Sequence, residues 1–365
     1  MRISLTPALA LGAALALVLT PAIRPASAQA TYDPLGSGRT VLAFDKRFLK
    51  TLAQGGVKLR ARGGAKLRKG RLILPVAGGK VDPVAGKGTV KTQGTLLFER
   101  ANRTLPWRRI EAKANRTPLQ AKVGGGQLRL AAARRPPRAR RAGFATRFVA
   151  PRLSLTAKAA TRLAKKLRLR GAFREGMALG TLRASVNPAY TEILPRGRAT
   201  LAPDPAMLAK LEAHFVSLNP IAPAELAPGP LLSLPIAAKG SLSPDAAQGT
   251  LRTGGAFEAL QLSGGQLFER ELWLDLSLSS ASAEAEVRPS PPYAGQAGRI
   301  GAFAVDLSQA TRSSDPGTRT ISVAAAPLLL TAQSAAHFDE AFANSKGHFA
   351  AGERFGTVSF AAVGR

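Results

Sequence analysis

Apolar positions along the chain follow two periods. Leu72, Leu74 and Val76 recur at every second position, as do Leu272, Leu274, Leu276 and Leu278. A period of two puts such side chains on one face of a β-strand. Phe48, Leu49 and Leu52, and likewise Met207, Leu208 and Leu211, recur instead at helical spacing. Asp45 and Asp204 precede these stripes as N-cap acceptors, and Pro205 takes the first helical position in the second. Gly55-Gly56 ends the first helix. Thr156 and Thr331 open two further short helices, with Leu163 and Leu167, or Phe338 and Phe342, on the inner side. Elsewhere, turn signals separate many short strands: Gly78-Gly79, Gly124-Gly125-Gly126, Pro136-Pro137, Pro291-Pro292 and Asp315-Pro316-Gly317. The pattern predicts an all-β chain of β-sandwich-like units, each with one or two short helices.

The pattern also repeats. Gly38-Arg39-Thr40-Val41-Leu42-Ala43 recurs as Gly197-Arg198-Ala199-Thr200-Leu201-Ala202, and Leu74-Pro75-Val76-Ala77 as Leu234-Pro235-Ile236-Ala237. Gly88-Thr89-Val90-Lys91-Thr92 recurs as Gly249-Thr250-Leu251-Arg252-Thr253, and Leu97-Phe98-Glu99-Arg100 with Trp107 as Leu267-Phe268-Glu269-Arg270 with Trp273. Leu155-Thr156-Ala157, Phe173, Gly176 and Gly180-Thr181-Leu182 match Leu330-Thr331-Ala332, Phe349, Gly352 and Gly356-Thr357-Val358. The order is kept throughout, as a tandem duplication requires. The expected organisation is a leader over residues 1–30, a first domain over 31–190 and a second over 191–365, joined around Asn187-Pro188.

Charge then separates the two copies. The 365 residues carry 52 Lys+Arg against 22 Asp+Glu, a net charge of +30. Residues 31–190 hold 37 of the cations and six acids, +31, whereas residues 191–365 hold 13 cations and 16 acids, −3. The excess therefore belongs to one copy. With no cysteine, disulfides, thiol catalysis and Cys-ligated zinc are excluded, and three histidines leave little for a histidine-based centre. At the N-terminus, Arg2, the apolar run Ala8 to Leu19 and the small residues Ala26 to Ala30 have the form of a cleaved export signal, so a secreted, cell-surface-associated protein is expected.

Gly298 to Leu307, Gly317-Thr318-Arg319-Thr320, Leu330-Thr331-Ala332 and Gly356-Thr357-Val358-Ser359-Phe360, in that order, resemble the HtaA domain of exported actinobacterial proteins. Gly88-Thr89-Val90 and Gly249-Thr250-Leu251 resemble the middle of that domain. The resemblance implies an extracellular all-β domain and haem as its ligand, held by a tyrosine on the first short helix with a histidine nearby. Phe48 and Met207 stand at the tyrosine position. Candidate haem ligands are accordingly Met207, whose thioether is a soft iron donor, with His337 and His348. By residue type, Met207 is expected in the core and the two histidines at the surface.

No catalytic constellation emerges, so the chain reads as non-enzymatic. Gly86-Lys87-Gly88-Thr89 lacks the spacing of a phosphate loop. The acid pairs Glu269/Glu271 and Glu284/Glu286 are expected on a solvated strand face. Three basic runs stand out in the first copy: Arg60, Arg62, Lys66, Arg68, Lys69 and Arg71; Arg134, Arg135, Arg138, Arg140 and Arg141; and Arg162, Lys165, Lys166, Arg168 and Arg170. Together they predict a strong positive field and a polyanionic partner: a cell-wall or other anionic polymer, or an anionic membrane surface. Few aromatic residues accompany them for base stacking, and a leader argues against intracellular nucleic acid.

Overall fold

The structure, a computed structural model, describes residues 32–113, 119–123, 126–133, 135, 137–237, 239–263, 265–276, 281–289, 298–343 and 347–365. The predicted leader and Arg134 lie outside the described residues.

In chain order the first half forms β1 (Asp33–Phe44), α1 (Lys46–Gln54), β2 (Lys58–Arg62), β3 (Lys66–Arg68), β4 (Arg71–Val81), β5 (Gly88–Thr92) and β6 (Thr95–Arg100). It continues with β7 (Arg103–Lys113), β8 (Leu119–Val123), β9 (Gly126–Ala133), β10 (Arg138–Ala142), β11 (Ala145–Leu155), α2 (Ala157–Leu167) and β12 (Ala178–Pro188). The second half opens with β13 (Thr191–Pro203), α3 (Pro205–Ala213), β14 (Val216–Ile221), β15 (Glu225–Ala227), β16 (Leu231–Pro235), β17 (Ser241–Leu242) and β18 (Gly249–Arg252). There follow β19 (Ala256–Gln261), β20 (Gln266–Leu276), β21 (Ser282–Pro289), β22 (Gly298–Val305), β23 (Thr311–Asp315), β24 (Thr320–Leu330), α4 (Ala332–Phe338) with a π-helical turn (Asp339–Ala343), and β25 (Arg354–Gly364).

The two halves have one topology. Their sheets run β2-β6-β7-β5-β4-β1-β12-β11-β9-β8 and β14-β19-β20-β18-β17-β13-β25-β24-β22-β21. The second has one strand more because the counterpart of β4 is broken into β16 and β17. Pairing of β7 with β8, and of β20 with β21, closes each path on itself, so the two layers of each sandwich are joined at both edges. Each closed sheet surrounds its own apolar core.

Local chemistry repeats as the sequence implies. Asp45, Thr156, Asp204 and Thr331 are N-caps, accepting from the backbone N–H groups of Arg47, Ala159, Ala206 and Ser334. Gly180 lies against β1, where a Cβ would stand 2.0 Å from the Ala43 carbonyl oxygen; Gly356 meets the Ala202 carbonyl oxygen in the same way at 2.2 Å. Arg100 Nε and Nη1 donate to the Gly55 and Leu167 carbonyls, both at 2.7 Å, tying the ends of α1 and α2 together. Gln261 Nε2 does the same in the second half, to His214 and Phe342, both at 3.0 Å.

One repeat read from the sequence is out of register. Leu97-Phe98-Glu99-Arg100 lies on β6, whereas Leu267-Phe268-Glu269-Arg270 lies on β20, the counterpart of β7. Thr95 pairs with Arg108 as Ala256 pairs with Arg270, so Trp107 corresponds to Glu269 and Phe98 to Ala259. In the first core Phe98 and Trp107 pack ring against ring, centroids 4.6 Å apart. The second core has a carboxyl and a methyl there. Glu269 is 3% exposed, not solvated as expected. A bulge at Glu271, whose φ is +48°, breaks the alternation that would have put both acids on one face.

The halves meet near the start of β1. Phe144, between β10 and β11, is buried within the second core. Arg141 turns inward beside Asp33, and burial depresses its guanidinium, with Arg319 adding to the effect. Burial pushes Asp33 up to about 6 against the opposing pull of Arg141.

Candidate anion-binding face

Strands β10, β11, β12, β1, β4 and β3 lie side by side, and alternation sends every second residue outward. On β1, Thr40 and Leu42 are buried while Arg39, Val41 and Ala43 face out; on β4, Leu72 is buried while Arg71 and Ile73 face out. Register then assembles rows across the strands. One runs Arg138, Val149, Arg183, Val41, Ile73, Lys66. The next runs Arg140, Arg147, Ser185, Arg39. A third, on the other side, runs Thr181, Ala43, Arg71, Arg68. The result is a concavity of about 670 Å³ with Val41, Ala43 and Ile73 in its floor and Arg39, Arg71, Arg147 and Arg183 around it. Eight cations occupy these rows, and no carboxylate does.

The same face of the second sheet is neutral. Register equates Arg147 with Ser322, Arg183 with Ser359, Val41 with Thr200 and Arg71 with Leu231. Arg198, the counterpart of Arg39, is ion-paired with Glu225 and bonded to Ser233. One scaffold thus carries a cationic face in one copy and a hydroxyl- and methyl-bearing face in the other.

The three basic runs are distributed differently from their sequence order. Lys66, Arg68 and Arg71, with Arg138 and Arg140, flank the concavity from its two sides. Lys69 lies in the tight turn between β3 and β4, at φ +47°. Arg60 and Arg62 sit on β2, paired to β6 at the far end of the sheet, where Arg60 meets Glu99 at 2.9 Å. Arg135 is exposed ahead of β10, whereas Arg141 is withdrawn to the junction. Lys165 and Lys166 are exposed on the last turn of α2, Arg168 caps it in the left-handed region, and Arg170 follows. Arg39, Arg147 and Arg183 belong to no run. They are single arginines at alternate strand positions, and only knowledge of strand order brings them together.

The haem candidates differ in exposure. Phe48 is fully buried between Phe44 and Phe173. Met207 is closed in the second core, as its helical position implies. His337 is buried on α4 rather than exposed, because its helix turns that side toward the sheet. His348 is exposed and meets His214, absent from the candidate ligands, edge to face with centroids 5.2 Å apart. Phe215 and Leu262, 69% and 87% exposed, adjoin His214 through the bond from Leu262 N–H to the Phe215 carbonyl. Among the described residues no cluster of three or more His, Cys, Asp or Glu is placed to hold a metal ion, and no helix is long and apolar enough to cross a membrane.

No protein-family model and no curated protein matches this sequence. Among solved structures, the chain is similar to the C-terminal domain of HtaA from Corynebacterium glutamicum, at 13% identity and a TM-score of 0.37, over 47% of this chain and 98% of that one. It is similar also to the N-terminal domain of HtaA from Corynebacterium glutamicum, at 13% identity and a TM-score of 0.34, over the same shares of the two chains.

Proposed function

We propose that this is an exported, non-enzymatic binding protein, two tandem domains behind a cleaved leader, that holds an anionic cell-wall polymer on the basic surface of its first domain. The observation that carries this is the contrast between equivalent faces: eight cations and no carboxylate on the first, and Ser, Thr and Ala with an ion-paired arginine on the second. The fold is common to both faces, so folding does not require the charge. An uncompensated array of arginines repels itself and is relieved by bound anions. Guanidinium forks match phosphate and carboxylate oxygens in pairs, which suits the predominance of Arg over Lys there. Salt-graded retention of the mature protein on isolated cell walls and on heparin tests this. Retention lost between about 50 and 200 mM salt is expected of multiple phosphate-type contacts. Failure to bind any polyanion at low salt would refute it.

A second function, haem binding, has one observation in its favour: the His214–His348 pair beside exposed Phe215 and Leu262. The tyrosine position itself does not fit, since Phe48 and Met207 are core side chains. A saturable Soret shift that disappears in His214→Ala/His348→Ala would establish it; its absence in the unmodified protein would remove it.

A further inference from the structure

Resting on the polyanion function just proposed, we propose further that the binding site is the outer face of β10, β11, β12, β1, β4 and β3, with the concavity on β11, β12, β1 and β4 at its centre, and that its occupant is a linear phosphodiester-type polymer lying across the strands. Three features of the face select such an occupant. Its length comes first: at roughly 4.8 Å per strand spacing, the row that crosses six strands extends for about 24 Å, and the two four-strand rows beside it for about 14 Å each. A single anion or small anionic metabolite would leave most of that length unused.

Depth comes second. Val41, Ala43 and Ile73 are half-buried at the floor, while Arg39, Arg71, Arg147 and Arg183 stand exposed above it. A flexible single chain can lower its carbon-rich stem onto that floor and turn its phosphates to the guanidinium groups on either side. A bilayer surface or a stiff duplex spans the rim and leaves the apolar floor uncovered.

The third feature is the separation of cations from apolar positions. Within the longest row Arg183 alternates with Val149 and Val41, and the neighbouring row carries Arg147 and Arg39 about one strand repeat away. Anionic groups recurring along a thin backbone meet such a lattice at several points, whereas one charged cluster meets it once. The face belongs to the first half alone, since Ser322, Ser359 and Thr200 stand at the matching positions of the second. The second half is therefore expected to add nothing to this affinity.

Oligothymidylates of increasing length serve as flexible phosphodiester probes, with fluorescence anisotropy of the full mature chain as the readout. Affinity is expected to rise with length and level off once the probe spans the face. Arg39→Gln/Arg183→Gln should weaken binding at least tenfold. Lys165→Gln/Lys166→Gln removes equal charge from α2 and should change it less than twofold. Val41→Asp should weaken binding as well, because it places a carboxylate in the floor. Unchanged thermal unfolding verifies that each variant is folded, and Arg39→Lys/Arg183→Lys should restore only part of the loss. If the groove and helix variants weaken binding equally, net charge binds and this site is wrong, while the polyanion function stands. If the unmodified protein binds no polyanion at low salt, both fall. Binding to anionic vesicles or polyglutamate with none to oligothymidylate would overturn the phosphodiester occupant.

Discussion

Glu269 permits a quantitative test of the second core. Its carboxyl oxygens have no hydrogen-bond partner among the described residues, and burial pushes its pKa up from 4.5 to about 8. The folded state therefore holds a proton that the unfolded state releases. Stability from this group is complete below pH 4.5, falls as pH rises, and levels off beyond 8. At 1.36 kcal/mol per unit, the loss between pH 5 and pH 8.5 is about 4 kcal/mol. Glu269→Gln keeps the shape and cannot ionise, so its stability should lack this slope. Urea unfolding at both pH values, followed through Trp273 in a Trp107→Phe background, reads the second sheet directly. Trp273 lies on the same strand as Glu269, between the Arg252 and Arg299 guanidinium groups at 4.0 and 3.4 Å from its ring centroid. Parallel pH profiles for the two proteins would refute the buried, proton-holding carboxyl.

Arg100→Met removes the donors to the Gly55 and Leu167 carbonyls at the ends of α1 and α2, and should cost on the order of 3 kcal/mol in denaturant unfolding. Gly180→Ala must displace β1 from a carbonyl 2.0 Å from the new Cβ, and should lower the melting temperature well beyond an exposed Gly→Ala change. Thr156→Ala and Thr331→Ala should each cost about 1 kcal/mol, because both are helix N-caps with the hydroxyl accepting. Asp33, pushed up to about 6 mainly by burial, should make the junction weaken as pH rises from 4 to above 6; Asp33→Asn should flatten that profile in hydrogen exchange of β1.

What was legible in the sequence depended on how local the chemistry was. Caps and close-approach glycines depend on a few neighbouring residues, and Asp45, Thr156, Gly180 and their second-half counterparts stand where the repeat implied. The Gly88-Thr89-Val90 strand could likewise be matched to Gly249-Thr250-Leu251, since both follow the same turn into β5 or β18. Leu97-Phe98-Glu99-Arg100 misled because short apolar-acidic strings recur by composition, and only register shows that β6 is not the counterpart of β20. Spacing alone places Glu269 and Glu271 on one solvated face, but the irregularity between Arg270 and Trp273 separates them and leaves Glu269 in the core. The basic face is half legible. Runs of arginine drew attention to Lys66–Arg71 and Arg138–Arg140, yet its centre is built from Arg39, Arg147 and Arg183, far apart in sequence and made neighbours by non-local pairing. The same runs overstated Arg141, which is withdrawn to the junction between the halves.

The most direct measurement is the salt dependence of oligothymidylate binding by the mature protein and by Arg39→Gln/Arg147→Gln/Arg183→Gln. With single strands contributing about 0.7 per neutralised phosphate, engagement of most of the eight-cation face gives a log–log slope of roughly −4 to −5. The triple variant should bind more weakly with a slope shallower by about 2. A slope near zero, or one unchanged by the triple substitution, would contradict a polyanion site on this face.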